Sequence, residues 1–473
     1  MANQTLSHAQ ELIWIGQKLN PSEPLYNMVM TFTIDAKIDA KRFTQAFDIL
    51  VAQSESLRLV FEESEAGVQQ RLLVNSNQKL DLVDATEEGF DMETWAVKKG
   101  QKLFNLAETT FDAALLKHSE EKFTWYFNQH HIATDVTSFH ALYTQLSNLY
   151  KGTEIPQVPL PSFLTHLKNK QLLQVNSKAE NILSAQNDLP IEEGKPFGKT
   201  LSKHASGRSN RVEVPLAKMH LAKLDALLET DAYRMMSKNM AMLNFFYGLY
   251  SVLLNKITGT HMAIGLPTHN RQSQKDKQTP GLFMQLATSI PSEIHALSFV
   301  ALYEKNREVI LNYLFTSQDS AKNNGTNQKV HALLNFITAQ FGDFAGEPCE
   351  TKWLHNGYHD AQHWIRFHVE RLNIADLSLS FDLNTEAFSK QQQTFLVEAF
   401  LRLIADALNK DDSAINDWQI VTPSQSLSIQ KQTQLPTYNQ LQNTPLLVRF
   451  LENAEKNSAA IAIKSGREQL SYQ

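Results

Sequence analysis

Two adjacent histidines, His130 and His131, followed four residues later by Asp135, are the residues of this chain whose types and spacing best suit chemistry. They close the stretch Phe123-Thr-Trp-Tyr-Phe-Asn-Gln129, which has the alternation and β-rich content of a strand. Adjacent side chains on extended backbone point to opposite faces, so one histidine is expected in the packed interior and the other at an opening. Asp135 stands just ahead of an amphipathic helical pattern; it suits the N-cap position and can still pair with a cation. Three readings are open at this point. The rings are satisfied core residues and Asp135 only a cap; or the cluster holds a metal, which the diverging histidines disfavour; or an imidazole takes a proton from, or orients, an attacking amine in acyl transfer, with no metal and no covalent nucleophile.

The elements that must position these residues fall into regions. The first, 1–172, mixes strands such as Met28 to Ile34 and Phe123 to Phe127 with helices at Ala40 to Ala52 and Val136 to Tyr150. A breaker-rich passage, 173–209, reads as a crossing linker. A second region, 210–421, again holds helices (Asn239 to Lys256, Lys390 to Leu408) and strands (His261 to Leu266, Val330 to Phe336, Leu377 to Leu383). Two stretches of similar size and mixed content predict two α+β lobes. A polar connector follows over 422–442. Residues 443–473 then read as an N-capped helix, a strand and a Gly466 turn, too short to bury a core alone.

Composition narrows the classes. With 42% hydrophobic and 20% charged residues the chain reads as an ordinary soluble protein. A net charge of −6 without a basic stripe disfavours nucleic acid. The apolar run Met242 to Leu254 is too short to span a bilayer and reads as a core helix. A single cysteine, Cys349, and the lack of a secretory pattern at the N-terminus fit a cytoplasmic location. A further cluster, His355, His359 and His363 with Asp360 and His368 nearby, would present three imidazoles as metal ligands if helical, but Gly357 argues against a helix and Trp364 to Glu370 alternates like a strand, so no metal site is expected.

His130-His131-Ile-Ala-Thr-Asp135 resembles the His-His-x-x-x-Asp motif of nonribosomal peptide synthetase condensation domains. Other pieces resemble that family's motifs in its order. They are Leu6-Ser-His-Ala-Gln-Glu-Leu-Ile-Trp14; Ser54-Glu-Ser-Leu-Arg58 with Phe61, where Ser54 replaces a His; Ile264-Gly-Leu-Pro-Thr-His-Asn-Arg271; Gly281-Leu-Phe-Met-Gln285, where Gln285 replaces an Asn; and Phe381-Asp-Leu-Asn-Thr-Glu-Ala-Phe388. The tail, with Leu470-Ser-Tyr472, resembles the start of an adenylation domain, and a further domain is expected beyond residue 473. The resemblance implies two chloramphenicol acetyltransferase-like lobes in a V with an active-site tunnel between them.

It also implies amide formation between a thioester-bound acyl or peptidyl donor and the α-amine of an aminoacyl carrier protein. His131 would be the catalytic base or amine-holding group, His130 a packing residue, and Asp135 a structural carboxylate paired with Arg58. Val136 stands where the family often has Gly. At the start of a helix it needs no positive φ and still presents its N–H to a developing oxyanion. Asn335 resembles a tunnel-lining residue of the second lobe, and Arg271 is read as a structural cation. The family binds no cofactor in this domain itself; the 4′-phosphopantetheine arms of carrier proteins, or the CoA of a donor, enter it. Both histidines and the absence of extra acidic motifs point away from cyclising and epimerising subtypes. If Met1 is the native start, the donor arrives in trans, on CoA or a carrier, as for a starter domain. The expected partners are donor and acceptor carrier proteins and an adjoining adenylation domain, with the chain itself a monomer. A free-standing CoA-dependent acyltransferase and an inactive recruiting module are the rival readings.

Overall fold

The computed structural model describes residues 4–65, 67–152, 159–171, 194–200, 205–294, 296–319, 330–373, 377–409, 413–427, 446–466 and 468–473. Residues up to Ile420 form one unit and Val421–Gln473 a second. The linker expected over 173–209 and the connector over 422–442 lie mostly outside the described residues.

In chain order the strands of the first half are β1 (Gln4–Thr5), β2 (Asn27–Ile34), β3 (Leu59–Ser64), β4 (Gly67–Leu72), β5 (Leu80–Asp84), β6 (Phe111–Ser119) and β7 (Lys122–His130). Those of the second half are β8 (Ser209–Glu213), β9 (Ile264–Thr268), β10 (Gln285–Ser289), β11 (Ala332–Ile337), β12 (Cys349–Leu354), β13 (Ile365–Glu370) and β14 (Ser378–Asn384). The second unit adds a helix, Leu446–Lys456, and the antiparallel hairpin β15 (Ile461–Ser465) and β16 (Glu468–Ser471).

The first lobe is built on the sheet β12-β2-β7-β6-β5. Along β7, Phe123, Trp125 and Phe127 point to one face and join a buried cluster with α2 (Ala40–Gln53) and α4 (Val136–Lys151). Tyr126 points to the other, packing on Trp95 of α3 (Met92–Lys99) at 5.3 Å between ring centroids. This is the alternation read from the sequence, with both faces covered. Each helix starts where a side chain satisfies its orphan N–H groups: Asp39 caps α2, Asp91 caps α3 and Asp135 caps α4. One strand departs from the expected division. β12 falls inside 210–421, yet it pairs antiparallel with β2 from Cys349↔Ile34 to Leu354↔Val29 and so belongs to the first sheet. It covers the β2 edge, which would otherwise be open.

The second lobe is built on the sheet β10-β9-β11-β13-β14-β8. The helices Lys238–Thr258 and Lys390–Asn409 contribute to one large core with this sheet. The first is apolar nearly all round, as a core helix must be. Phe367 of β13 stacks on Phe381 at 4.9 Å and meets Phe400 edge-on at 4.7 Å. The intervening Arg366, His368 and Glu370 therefore occupy the opposite, polar face of the sheet. Among the described residues no helix is long and apolar enough to cross a membrane.

Phe32 fixes the first core: its ring lies 4.8 Å from Trp125, 4.9 Å from Tyr143 and 5.3 Å from Phe341, fully buried. Phe32→Ala is expected to cost about 3–5 kcal/mol of unfolding free energy. Urea denaturation followed by tryptophan fluorescence measures it, and a loss below about 1 kcal/mol would contradict this account of the core.

Candidate active site

β7 ends at His130, held from both sides by its sheet neighbours. The His130 N–H donates to Thr110 O at 2.7 Å, and the His131 N–H donates to Tyr26 O at 2.8 Å, just ahead of β2. The chain then makes a single 3₁₀ turn, His131–Ala133, before α4 begins. The two rings part as extended geometry requires. His130 is buried; its Nδ1 accepts the Ile132 N–H at 3.3 Å, which puts the ring proton on Nε2, 3.3 Å from Gln17 Oε1. Burial pushes its pKa down to about 3, and the neighbouring His131 adds to this. It is a neutral pin for the turn.

His131 remains partly exposed. Its Nδ1 lies 2.6 Å from Thr134 O. A carbonyl only accepts, so Nδ1 carries the proton and Nε2 carries the lone pair. Burial lowers the pKa of this ring below the ordinary histidine value. The Thr134 carbonyl and Asp135 oppose the shift without cancelling it, and Arg366 adds to it. The ring is thus a neutral base in a fixed tautomer.

Asp135 is paired with Arg271, not with Arg58. Arg271 Nη2 lies 2.8 and 3.0 Å from the two carboxylate oxygens, with the two side chains only 2% and 7% exposed. Arg58 instead donates from Nη1 to Leu73 O at 2.9 Å and Val74 O at 3.2 Å, which commits it to the β4 edge. Asp135 also accepts the Ser138 N–H and hydroxyl, each at 2.8 Å, and the Phe283 N–H at 3.1 Å. Burial alone would raise its pKa; Arg271 and these donors outweigh that and hold it below the ordinary 3.8. Arg271 in turn donates to Asp276 O and Thr279 O and lies 3.9 Å over the Phe283 ring.

Three motif segments thereby converge on one turn. Gln10, in α1 (His8–Leu19), donates to Ile132 O at 3.2 Å. Arg271 follows β9. Gly281, whose added Cβ would stand 2.3 Å from the Phe163 ring, donates its N–H to Ser138 Oγ at 2.9 Å. Val136 is the first residue of α4, so its N–H is one of those without an intrahelical acceptor. Asn335 lies elsewhere, on the polar face of the second sheet. Its Nδ2 donates to His368 Nδ1 at 3.1 Å, and His368 Nε2 lies 2.8 Å from Asp382, the buried partner of Arg211. The histidines after β12 do not form a helix: His355 Nε2 lies 2.9 Å from Ser209 Oγ, and His363 Nδ1 accepts from Arg366 at 3.1 Å. Tyr26 and Ser138 were not singled out from sequence, and Asp360 was weighed only beside the histidines that follow β12. Ser138 had a local signal, three residues after a capping Asp. Tyr26, joined at 2.7 Å to Asp360 334 residues away, had none.

Two cavities lie near this turn, and His131 is not among the residues that line either. One, of about 520 Å³, is lined by His130, Trp14, Gln17 and Phe104; the other, of about 570 Å³, is lined by Arg271 and residues of β9 and β11.

Two lobes of this kind, with a histidine turn at the end of a central strand, define a chloramphenicol acetyltransferase-like fold. The family model described as Condensation domain matches residues 2–313, and the chain belongs to that family. It is 22% identical over 473 residues to the dimodular nonribosomal peptide synthase of Bacillus subtilis (strain 168), covering 96% of this chain and 19% of that protein. It is also 22% identical to tyrocidine synthase 3 of Brevibacillus parabrevis, covering 99% of this chain and 7% of that one. The chain thus spans less than a fifth of these relatives. Among solved structures, the starter condensation domain of rhizomide synthetase, in complex with C8-CoA and Leu-SNAC, superposes with a TM-score of 0.75 at 19% identity, covering 89% of this chain and 98% of that one. The first condensation domain of the calcium-dependent antibiotic synthetase gives 0.75 at 16% identity, covering 89% and 99%.

Removing one partner of the buried pair leaves an uncompensated charge. Arg271→Gln is expected to cost about 3–5 kcal/mol of stability, and Asp135→Asn with Arg271→Gln less than the sum of the two single changes. The depressed pKa of Asp135 gives the sign with pH. Its contribution is fully present above its unfolded value near 3.8 and is lost as pH falls through the folded one. Denaturation of the four proteins at pH 7 and in the acid range below pH 4 measures both effects. Additive single changes would contradict the pairing.

Proposed function

We propose that this chain joins an acyl or peptidyl thioester to the α-amine of an aminoacyl group on a carrier protein, in nonribosomal peptide synthesis, and that His131 is its catalytic residue. The observation that supports this most is the locked ring. With Nδ1 donating to Thr134 O, Nε2 is held as an acceptor at neutral pH. The amine nitrogen attacks the thioester carbonyl carbon and a C–N bond forms. Nε2 takes the proton that the nitrogen must lose. The C–S bond then breaks and the leaving sulfur receives that proton, so the imidazole ends neutral. The N–H of Val136, at the positive end of α4, faces the negative charge that develops on the carbonyl oxygen. Asp135 and Arg271 act only through the turn they hold, and Asn335 belongs to the second lobe's wall.

The donor is read as supplied in trans, on CoA or on a carrier protein, in a starter role, with a phosphopantetheine arm presenting the acceptor amine. Residues 443–473 are read as the beginning of an adenylation domain. In support, Leu447, Leu451, Ile463 and Leu470 are each more than half exposed, an apolar surface that a larger domain would cover.

The assay supplies an aminoacyl carrier protein with octanoyl-CoA and with octanoyl carrier protein, and follows the mass of the acceptor. The expected product is the octanoyl-amide on that acceptor. His131→Ala should lower its rate by about 10²–10⁴-fold with the fold intact. The acid limb of the wild-type pH–rate profile should lie below 6.5, because protonating Nε2 removes the acceptor and burial depresses that pKa. An unchanged rate in His131→Ala would overturn the assignment of the base. Acylation of free amines alone would favour a CoA-dependent acyltransferase, and no product with either donor a recruiting module.

A further inference from the structure

We propose that Tyr26 is a positioning residue for His131, and that its hydrogen bond to Asp360 sets where the second lobe stands against that ring. The proposal rests on the reading of His131 as the base and deepens it, since it names what aligns that base with the wall opposite. Tyr26 acts at both ends. Its carbonyl oxygen, one residue ahead of β2, accepts the His131 N–H at 2.8 Å. Its hydroxyl donates at 2.7 Å to Asp360 Oδ2, in the segment that leads into β13 of the second lobe. Only the covalent bonds of one residue stand between these two contacts, so a movement of Asp360 reaches the His131 turn directly. The ring has little room to swing and absorb it. Gly16 of α1 is packed so closely that a Cβ there would stand 1.9 Å from the Tyr26 hydroxyl oxygen and 2.9 Å from Cζ, and the His130 ring lies 5.9 Å away.

Charge makes the bond a strong one. Burial, with the Asp360 charge added to it, raises the Tyr26 pKa well above the ordinary phenol value, so the hydroxyl keeps its proton. Burial alone would raise Asp360, but His363, the Gln362 N–H, Tyr26 and Arg366 outweigh it and keep the carboxylate ionised. An O–H donating to a carboxylate is stronger than a bond between neutral groups. Other residues of the loop between α1 and β2 also hold the second half of the chain. Glu23 accepts the Ser206 hydroxyl at 2.5 Å and the Gly207 N–H at 2.8 Å, and Pro24 O accepts from Asn356 Nδ2 at 2.8 Å. Among the described residues, Glu23 and Pro24 make no hydrogen bond to the turn itself, whereas Tyr26 does. The groups that face His131 are Thr134 O, Asp135 and, from β13, Arg366; those that face Asp360 are Tyr26, His363 and Arg366. Arg366 Nη2 donates to His363 Nδ1 at 3.1 Å. The cation that adds to burial in depressing His131 therefore belongs to the segment that Tyr26 holds in place.

The test uses the full chain with octanoyl-CoA and an aminoacyl carrier protein. Tyr26→Phe removes one oxygen and keeps the ring. It is expected to lower kcat about 10–100-fold and to leave KM for the aminoacyl carrier protein within about twofold, because the bond touches neither substrate. The acid limb of its pH–rate profile should move up toward 6.5. With the tie lost, water reaches the ring and Arg366 withdraws, and both changes raise a pKa that burial and that cation depress. Glu23→Ala, which loosens the same loop at a residue with no bond to the turn, should leave the acid limb where it is. Gly16→Ala is the second variant. It keeps the hydroxyl and suits a helix better than glycine, yet pushes the Tyr26 ring off Asp360, so it should repeat the loss in kcat and the shift of the limb. In a His131→Ala background, Tyr26→Phe should cost less than about twofold more, since it acts only through that ring. NMR of isotope-labelled histidine, with the His131 signal identified by its loss in His131→Ala, reads the same titration without turnover. An acid limb and a His131 titration that stay in place in both folded variants would overturn the proposal, even where His131→Ala abolishes activity. A titration that moves in Tyr26→Phe while His131→Ala keeps full activity would retain the tie and overturn the base it was to position.

Discussion

A carboxylate taken out of water must be answered by a cation and by N–H donors, and Asp135 is answered from three directions. The helix it caps supplies one donor, the loop before the β10 strand supplies another, and Arg271 after β9 supplies the charge. Because these partners come from both lobes, satisfying one buried charge draws the lobes together at a defined place. The same residue ends the turn that begins at His131. The His131 ring therefore inherits its position from an electrostatic requirement at its neighbour. This explains why the motif is a run of six residues and not two histidines alone. It also explains why the segments around Gln10, Arg271 and Gly281 belong with it: each makes a hydrogen bond to that run or to Ser138 beside it.

What was legible in the sequence was what local physics decides. Strand alternation in Phe123–Phe127, the amphipathic stripe of Val136–Tyr150 and the capping role of Asp135 depend on neighbours a few residues away, and each is found in the structure. The divergence of His130 and His131 follows from backbone geometry and was readable for the same reason. The partner of Asp135 was not. Arg58 and Arg271 offer the same guanidinium, and residue type carries no information about which of them reaches a carboxylate. Arg58 is excluded only by the hairpin of β3 and β4, which presents the carbonyl oxygens of Leu73 and Val74 to it. β12 illustrates the same limit. Its six residues have no pattern that distinguishes pairing with β2 from pairing within the nearer sheet, and the choice is made by which edge is left open.

The second sheet separates two kinds of burial by the period of its strands. One face, through Phe367 and Phe381, meets helices in an apolar core; the other carries Asn335, Arg366, His368 and Asp382. On that polar face Asp382 lies against Arg211 at 2.7 Å and near His355 at 3.4 Å, and its carboxyl is held well below the ordinary range: burial alone would raise it, but Arg211 and then His355 and His368 outweigh it. The Trp353 ring on β12 stands edge-on to His368 at 5.3 Å and lies 4.9 Å from the Arg211 guanidinium, so this polar face is itself covered, by a strand of the first lobe's sheet. The device that separates the two faces is the alternation of β11, where Asn335 and its neighbours Leu334 and Phe336 look in opposite directions from a single strand.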